Sequence, residues 1–168
     1  FITRYKDLII ICYPQKNDGT ATLLKKCYFP DQSEIAFIEN YSNNLLFFDC
    51  GTNYGFYSLY VAKQNKTNFV IGFEASPKVF NRYFENIKIN DFKNIKLINK
   101  AVSNDIKFID FFEGGVDWVG SVVKNNSDVH NKIRIPCTTI DHEIKKINLD
   151  NFNKIVIKID TEGNEEDV

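Results

Sequence analysis

The 168-residue sequence has no methionine, two histidines and four cysteines, and its 21 basic residues nearly balance 22 acidic ones. Each scarcity removes a class of function. A formal net charge of -1 offers no broad attraction for nucleic acid or an anionic membrane, so no nucleic-acid partner is expected. The longest apolar run near the start, Leu8 to Tyr13, falls far short of the ~20 residues that span a bilayer, and it lacks the flanks of a signal peptide. Cys12, Cys27, Cys50 and Cys137 form no C-x-x-C pair, which excludes an ordinary zinc site. Reduced, packed thiols in a cytoplasmic protein are expected, and no metal. A chain that starts at Phe1 without a methionine anywhere reads as part of a longer reading frame.

Fifteen phenylalanines and eight tyrosines supply the core of one domain, and the length is too short for two. Residues 1–44 read as a preface that packs on the core. Leu8–Tyr13 and Thr20–Phe29 flank the turn signal Asp18-Gly19, which predicts a hairpin. Pro30-Asp31 then opens a short helix with Ile35, Phe37, Ile38 and Tyr41 inward.

From residue 45 the pattern is strand, helix, strand, helix, strand. Leu45–Phe48 and Phe69–Phe73 are continuous apolar runs, as in strands covered on both faces. Ser76-Pro77 caps the second helix, and Ile95–Ile98 is the third strand. Lys96 and Lys100 alternate with apolar residues, as on a strand with one wet face. Phe108–Phe112 and Ile133–Thr139 read as an inserted antiparallel pair around an excursion holding Trp118, Gly120 and Ser121. Ile155–Ile159 is a further buried strand. The fold class is therefore α/β, a doubly wound Rossmann-like sheet that breaks off after its fourth core strand. A strand at that break leaves an edge on which copies of the chain could pair.

The chemistry concentrates at strand ends. FFDCGTNYG, residues 47–55, places Asp49 where an apolar strand turns into a glycine-rich loop. A loop that cradles a phosphate would be harmed by that carboxylate. Asp160 and Glu162 follow the last strand, which a right-handed topology sets beside the first. Acids this close become tolerable around a cation, and S-adenosylmethionine brings an ammonium and a sulfonium, with a carboxylate for the loop amides. Glu74, at the end of the second strand, stands where an acid reaches ribose hydroxyls. Ribose contacts alone do not separate this cofactor from NAD, so Asp49 discriminates. Asp160, Glu162, His130 and His142 are candidates for a general base. Both histidines also suit surface positions, and Asp160 comes first by position for an active-site role, whether toward the cofactor, the acceptor or a proton.

These segments resemble the FkbM family of S-adenosylmethionine-dependent methyltransferases from about residue 45 to 165. FFDCGTNYGFYSL is similar to the family's Asp-x-Gly-Ala-Asn-x-Gly-x-Tyr segment, with Thr52 for alanine. GFEASPKVFNRYFENIKIN (72–90) is similar to its Phe-Glu-Pro-x-Pro segment and the helix that follows, with Ala75 for the first proline. NKAVSN (99–104), TTID (138–141) and KIDTEGNE (158–165) resemble its later segments, with Asn164 for an alanine of little consequence. The resemblance implies that Asp49, Gly51, Asn53 and Gly55 surround the methionine part of the cofactor. It further implies that Glu74 holds the ribose, that Ala101 lies by the adenine, and that the acceptor is a hydroxyl of a sugar or other small natural product.

Overall fold

A computed structural model describes residues 1–15, 18–26, 32–114, 129–161 and 164–168. Cys27, Pro30, Asp31, Trp118, Gly120, Ser121 and Glu162, all singled out above, lie outside the described residues.

The centre is a parallel sheet in the order β5-β4-β3-β9, formed by β3 (Leu45–Cys50), β4 (Phe69–Phe73), β5 (Ile95–Ile98) and β9 (Lys154–Ile159). All six residues of β3 are buried, because helices and loops cover both faces of this central strand. Crossovers run through α3 (Phe56–Gln64) and α4 (Pro77–Ile89). Ser76 caps α4 by accepting from the Val79 N–H, with Pro77 in the first turn. β3 thus has β4 on one side and β9 on the other, which places the point where strand order reverses at the carboxyl ends of β3 and β9. Doubly wound sheets bind ligands at that point.

β6 (Ala101–Val102), β7 (Phe108–Gly114) and β8 (Val129–Thr138) form a second, three-stranded sheet. β7 and β8 are the expected antiparallel pair, and β8 continues into a parallel pairing with β6. His130 falls on β8 rather than in the excursion.

The beginning of the chain differs from the sequence reading. The hairpin is formed by β1 (Ile2–Tyr5) and β2 (Leu8–Ile11), and it turns at Lys6 and Asp7, both at positive φ. Asp18–Lys26, which takes in the expected turn at Asp18-Gly19 and most of the second strand expected over Thr20–Phe29, is helix α1. Thr20 and Leu23 are both buried one helical turn apart, so the segment's inward face follows the helical period. α2 (Gln32–Tyr41) buries Ile35 and Ile38 but leaves Phe37 and Tyr41 exposed. The hairpin and both helices share one core with β3 and α3 through Tyr5, Leu8, Ile10, Leu23, Ile35 and Ile38.

β9 also departs from expectation. Val156 packs into that core, whereas Ile155, Ile157 and Ile159 on the other face are 41–44% exposed. They lie on the edge strand of the described sheet and are only partly covered by the described residues.

Candidate functional site

The loop between β3 and α3 owes its shape to two glycines. Gly51 (φ 80°) and Gly55 (φ 87°) adopt the left-handed region, as does Asn53 (φ 53°). A Cβ on Gly51 would lie 1.9 Å from the Asp160 carbonyl oxygen, and one on Gly55 would lie 2.0 Å from the Tyr83 ring. The loop is therefore pressed between the end of β9 and helix α4.

Every amide of this loop is already used. The Gly51 and Thr52 N–H groups donate to the Phe73 carbonyl, at 3.0 and 3.1 Å. Asn53 N–H donates to Glu74 Oε2, Tyr54 N–H to Asn53 Oδ1, and Gly55 N–H to the Thr52 carbonyl. The amides of Gly51–Gly55 therefore leave no cradle of their own for a phosphate, in keeping with the sequence argument. The same fact corrects one expectation: the loop amides are equally closed to a ligand carboxylate.

Asp49 is fully buried beneath the loop. Its Oδ2 accepts from Ser58 Oγ at 2.6 Å, while Oδ1 has no hydrogen bond and faces Lys158 Nζ at 3.6 Å. Asp49 and Lys158 are register partners across β3 and β9. Lys158 also donates to Asp160 Oδ2 at 3.2 Å, so the ammonium bridges a buried and an exposed carboxylate. Burial alone would lower the Lys158 pKa, but the two acids outweigh it and the net shift is upward.

Glu74 is buried at the end of β4, and its two oxygens accept from the Ser76 and Asn53 amides, both at 2.9 Å. Burial pushes its carboxyl up to about 7, against those hydrogen bonds and with the help of nearby Asp49. Asn99 Nδ2 fixes the backbone behind it through the Glu74 and Ala75 carbonyls. Ala101 is buried on β6, pairing with Cys137. Asp160 is 63% exposed at the mouth of the crevice. His142 sits at the exposed start of α5 (Ile140–Ile144).

The sequence reading passed over Ser58 and Asn86, left Lys158 between a solvent-facing strand position and an acceptor contact, and took Asn164 as a replacement of little consequence. Ser58 and Lys158 hold Asp49. Asn86, fully buried on α4, accepts from the Ile11 N–H at 2.8 Å and donates to the Tyr54 carbonyl at 3.0 Å, so it ties the hairpin to the loop. Its signal was a polar residue inside the apolar stripe Val79, Tyr83 and Ile87. Asn164 is not neutral: it is buried and donates to the Val102 carbonyl at 3.0 Å, joining the segment after β9 to β6. Asn86→Ala is expected to leave two backbone groups unpaired and to lower stability by about 2–4 kcal/mol, read from the urea midpoint.

Residues 49–168 match the model of a family described as the methyltransferase FkbM domain. Among solved structures, the chain is similar to a SAM-dependent methyltransferase from Aquifex aeolicus (21% identity, 53% of this chain and 50% of that one, TM-score 0.39). It is also similar to TYW2 of M. jannaschii in complex with AdoMet (16% identity, 63% and 51%, TM-score 0.43). A third is a protein-L-isoaspartate O-methyltransferase of Plasmodium falciparum in complex with S-adenosyl-L-homocysteine (25% identity, 43% and 39%, TM-score 0.37). The chain thus spans about half or less of the length of these proteins. A comparison with curated proteins found no match.

The residues present fit an S-adenosylmethionine cofactor. Asp49 keeps a buried carboxylate oxygen without a hydrogen bond, the acids Asp49, Glu74 and Asp160 at the strand ends outnumber Lys158 among the described residues, and the Gly51–Gly55 amides are bonded within the protein.

Proposed function

The chain belongs to the FkbM methyltransferase family, whose methyl donor is S-adenosylmethionine, and from that premise we propose that it methylates a hydroxyl of a sugar or other small natural product in the cytoplasm. The observation that carries the proposal is the buried Asp49 under a loop whose amides are all internally bonded. Such a site favours a cationic ligand over a phosphate. Asp49, Gly51, Asn53 and Gly55 would flank the methionine part, Glu74 the ribose and Ala101 the adenine. The bound cofactor supplies a methyl carbon activated by its sulfonium. Asp160, exposed beside Lys158, would orient the acceptor hydroxyl and take its proton. Glu162 keeps its proposed catalytic role on sequence grounds alone.

Glu74 makes the proposal testable by pH. An ionised carboxylate accepts from both ribose hydroxyls, and a protonated one does not. Affinity for S-adenosylhomocysteine is therefore expected to fall about tenfold per pH unit below the Glu74 pKa of about 7. Stability runs the other way. The folded carboxyl holds its proton more tightly than the unfolded one, so its contribution is complete below about 4.5 and is lost as pH rises through about 7. Calorimetry across this range, with Glu74→Gln as the flat control, checks both signs; a wild-type affinity independent of pH would remove Glu74 from the ribose.

A second reading, a cofactor-binding unit without catalysis, is favoured by the exposed Ile155, Ile157 and Ile159 stripe, on which a second copy could pair. Light scattering at several concentrations separates the two, since this reading requires a dimer.

A further inference from the structure

A cavity of about 580 Å³ opens beside the loop, between α2 and β9. Phe37, Ile38, Phe47, Tyr57 and Val156 give it an apolar wall, and Glu34, Lys158 and Asp160 line it as well. Its size is that of a site for a small molecule, and its lining combines an apolar wall with a few convergent polar groups. It shares Lys158 and Asp160 with the Asp49 cluster, so whatever enters it lies at the carboxyl ends of β3 and β9. Phe37, exposed although its helical position reads as inward, borders this cavity instead of packing into the core. Tyr57 lies with its ring centroid 5.2 Å from Lys158 Nζ.

The charges decide what the cavity takes. Lys158, the sole cation of its described lining, is already shared between Asp49 at 3.6 Å and Asp160 at 3.2 Å. Glu34 adds a further carboxylate, whose nearest partner is the neutral Ser33 hydroxyl at 2.8 Å. Counted with Asp49, three acids face one lysine. A phosphate or carboxylate entering here meets net repulsion and finds no free cation, whereas an ammonium gains from Glu34 and Asp160. Two aromatic rings suit the C–H face of a saturated ring.

We propose that this cavity is the acceptor subsite and that its acidic lining selects a hydroxylated ring bearing an amine, and rejects phosphorylated or carboxylated acceptors. The inference rests on the methyltransferase reading and deepens it. It narrows the acceptor to compounds carrying no activating phosphate.

Saturation-transfer NMR with three probes tests it: glucosamine, glucose and glucose 6-phosphate, each near neutral pH with the chain saturated by S-adenosylhomocysteine. Glucosamine is expected to bind at least about tenfold more tightly than glucose 6-phosphate, a difference of ~1.4 kcal/mol. Phe37→Ala and Tyr57→Ala are expected to abolish the glucosamine signal, and Glu34→Lys to invert the preference between the charged probes. Tighter binding of glucose 6-phosphate overturns the charge argument. Glucosamine binding that survives Phe37→Ala and Tyr57→Ala overturns the location. Binding of none of the three by a chain that takes up S-adenosylhomocysteine overturns the subsite and leaves the methyltransferase reading intact. A folded chain that fails to bind S-adenosylhomocysteine overturns both.

Discussion

Gly51→Ala is expected to detach the end of β9 from the loop and to cost about 3 kcal/mol or more of stability. Two effects add. An alanine at φ 80° carries about 1–2 kcal/mol of backbone strain. Its Cβ would also overlap the Asp160 carbonyl at 1.9 Å, which is backbone and must move as a unit. Overpacking of this kind typically costs about 1–3 kcal/mol. The damage is functional as well, because Lys158 and Asp160 are positioned by the same strand end. Gly72→Ala is the control, since its Cβ meets the Thr52 methyl at 2.9 Å and the Tyr83 ring at 3.1 Å without a positive φ. Chemical denaturation of the two variants should therefore show a much larger loss for Gly51. Equal losses would mean that the approach of β9 to the loop is not what requires the glycine.

Asp49→Asn is expected to remove most of the affinity for the cofactor, tenfold or more, while the fold survives. The asparagine is isosteric and retains an acceptor for Ser58 Oγ, which now sits 2.6 Å from Oδ2. Lys158 retains Asp160 as partner, so its charge is not left stranded. What disappears is the negative charge at the foot of the crevice. At ~5 Å and an effective dielectric of ~20, that charge attracts a cation by about 3 kcal/mol, and Lys158 offsets part of it. Calorimetric titration with S-adenosylmethionine reads the loss, and circular dichroism confirms the fold. Unchanged affinity would show that Lys158 already neutralises Asp49 and that the ligand never senses it.

The strands and α4 were legible because their signals are local. Leu45–Phe48 and Phe69–Phe73 are apolar runs of strand length, and Ser76-Pro77 writes the helix start into two residues. Gly51 and Gly55 were legible for the same reason, since a tight turn at positive φ demands them. The hairpin was misplaced because Asp18-Gly19 is an equally good helix start, and the period of Thr20 and Leu23 outweighs the turn signal. The pairing of Lys158 with Asp49 was opaque for a different reason. It is set by the register of two strands far apart in sequence, and no local pattern encodes that register. Asn86 and Asn164 likewise act through distant backbone groups, on β2, the loop and β6. Only the intrusion of Asn86 into an apolar stripe hinted at its role. The exposure of Ile155, Ile157 and Ile159 could not be read at all, because a strand's composition does not say which neighbours cover it.

The most direct measurement is calorimetric titration of the 168-residue chain with S-adenosylhomocysteine, with NAD as the control. Selective micromolar binding of S-adenosylhomocysteine is the expected result, since Asp49, Glu74 and the closed loop amides favour that ligand over a pyrophosphate. A folded chain that binds neither ligand, or binds NAD as well or better, would contradict the account at its centre.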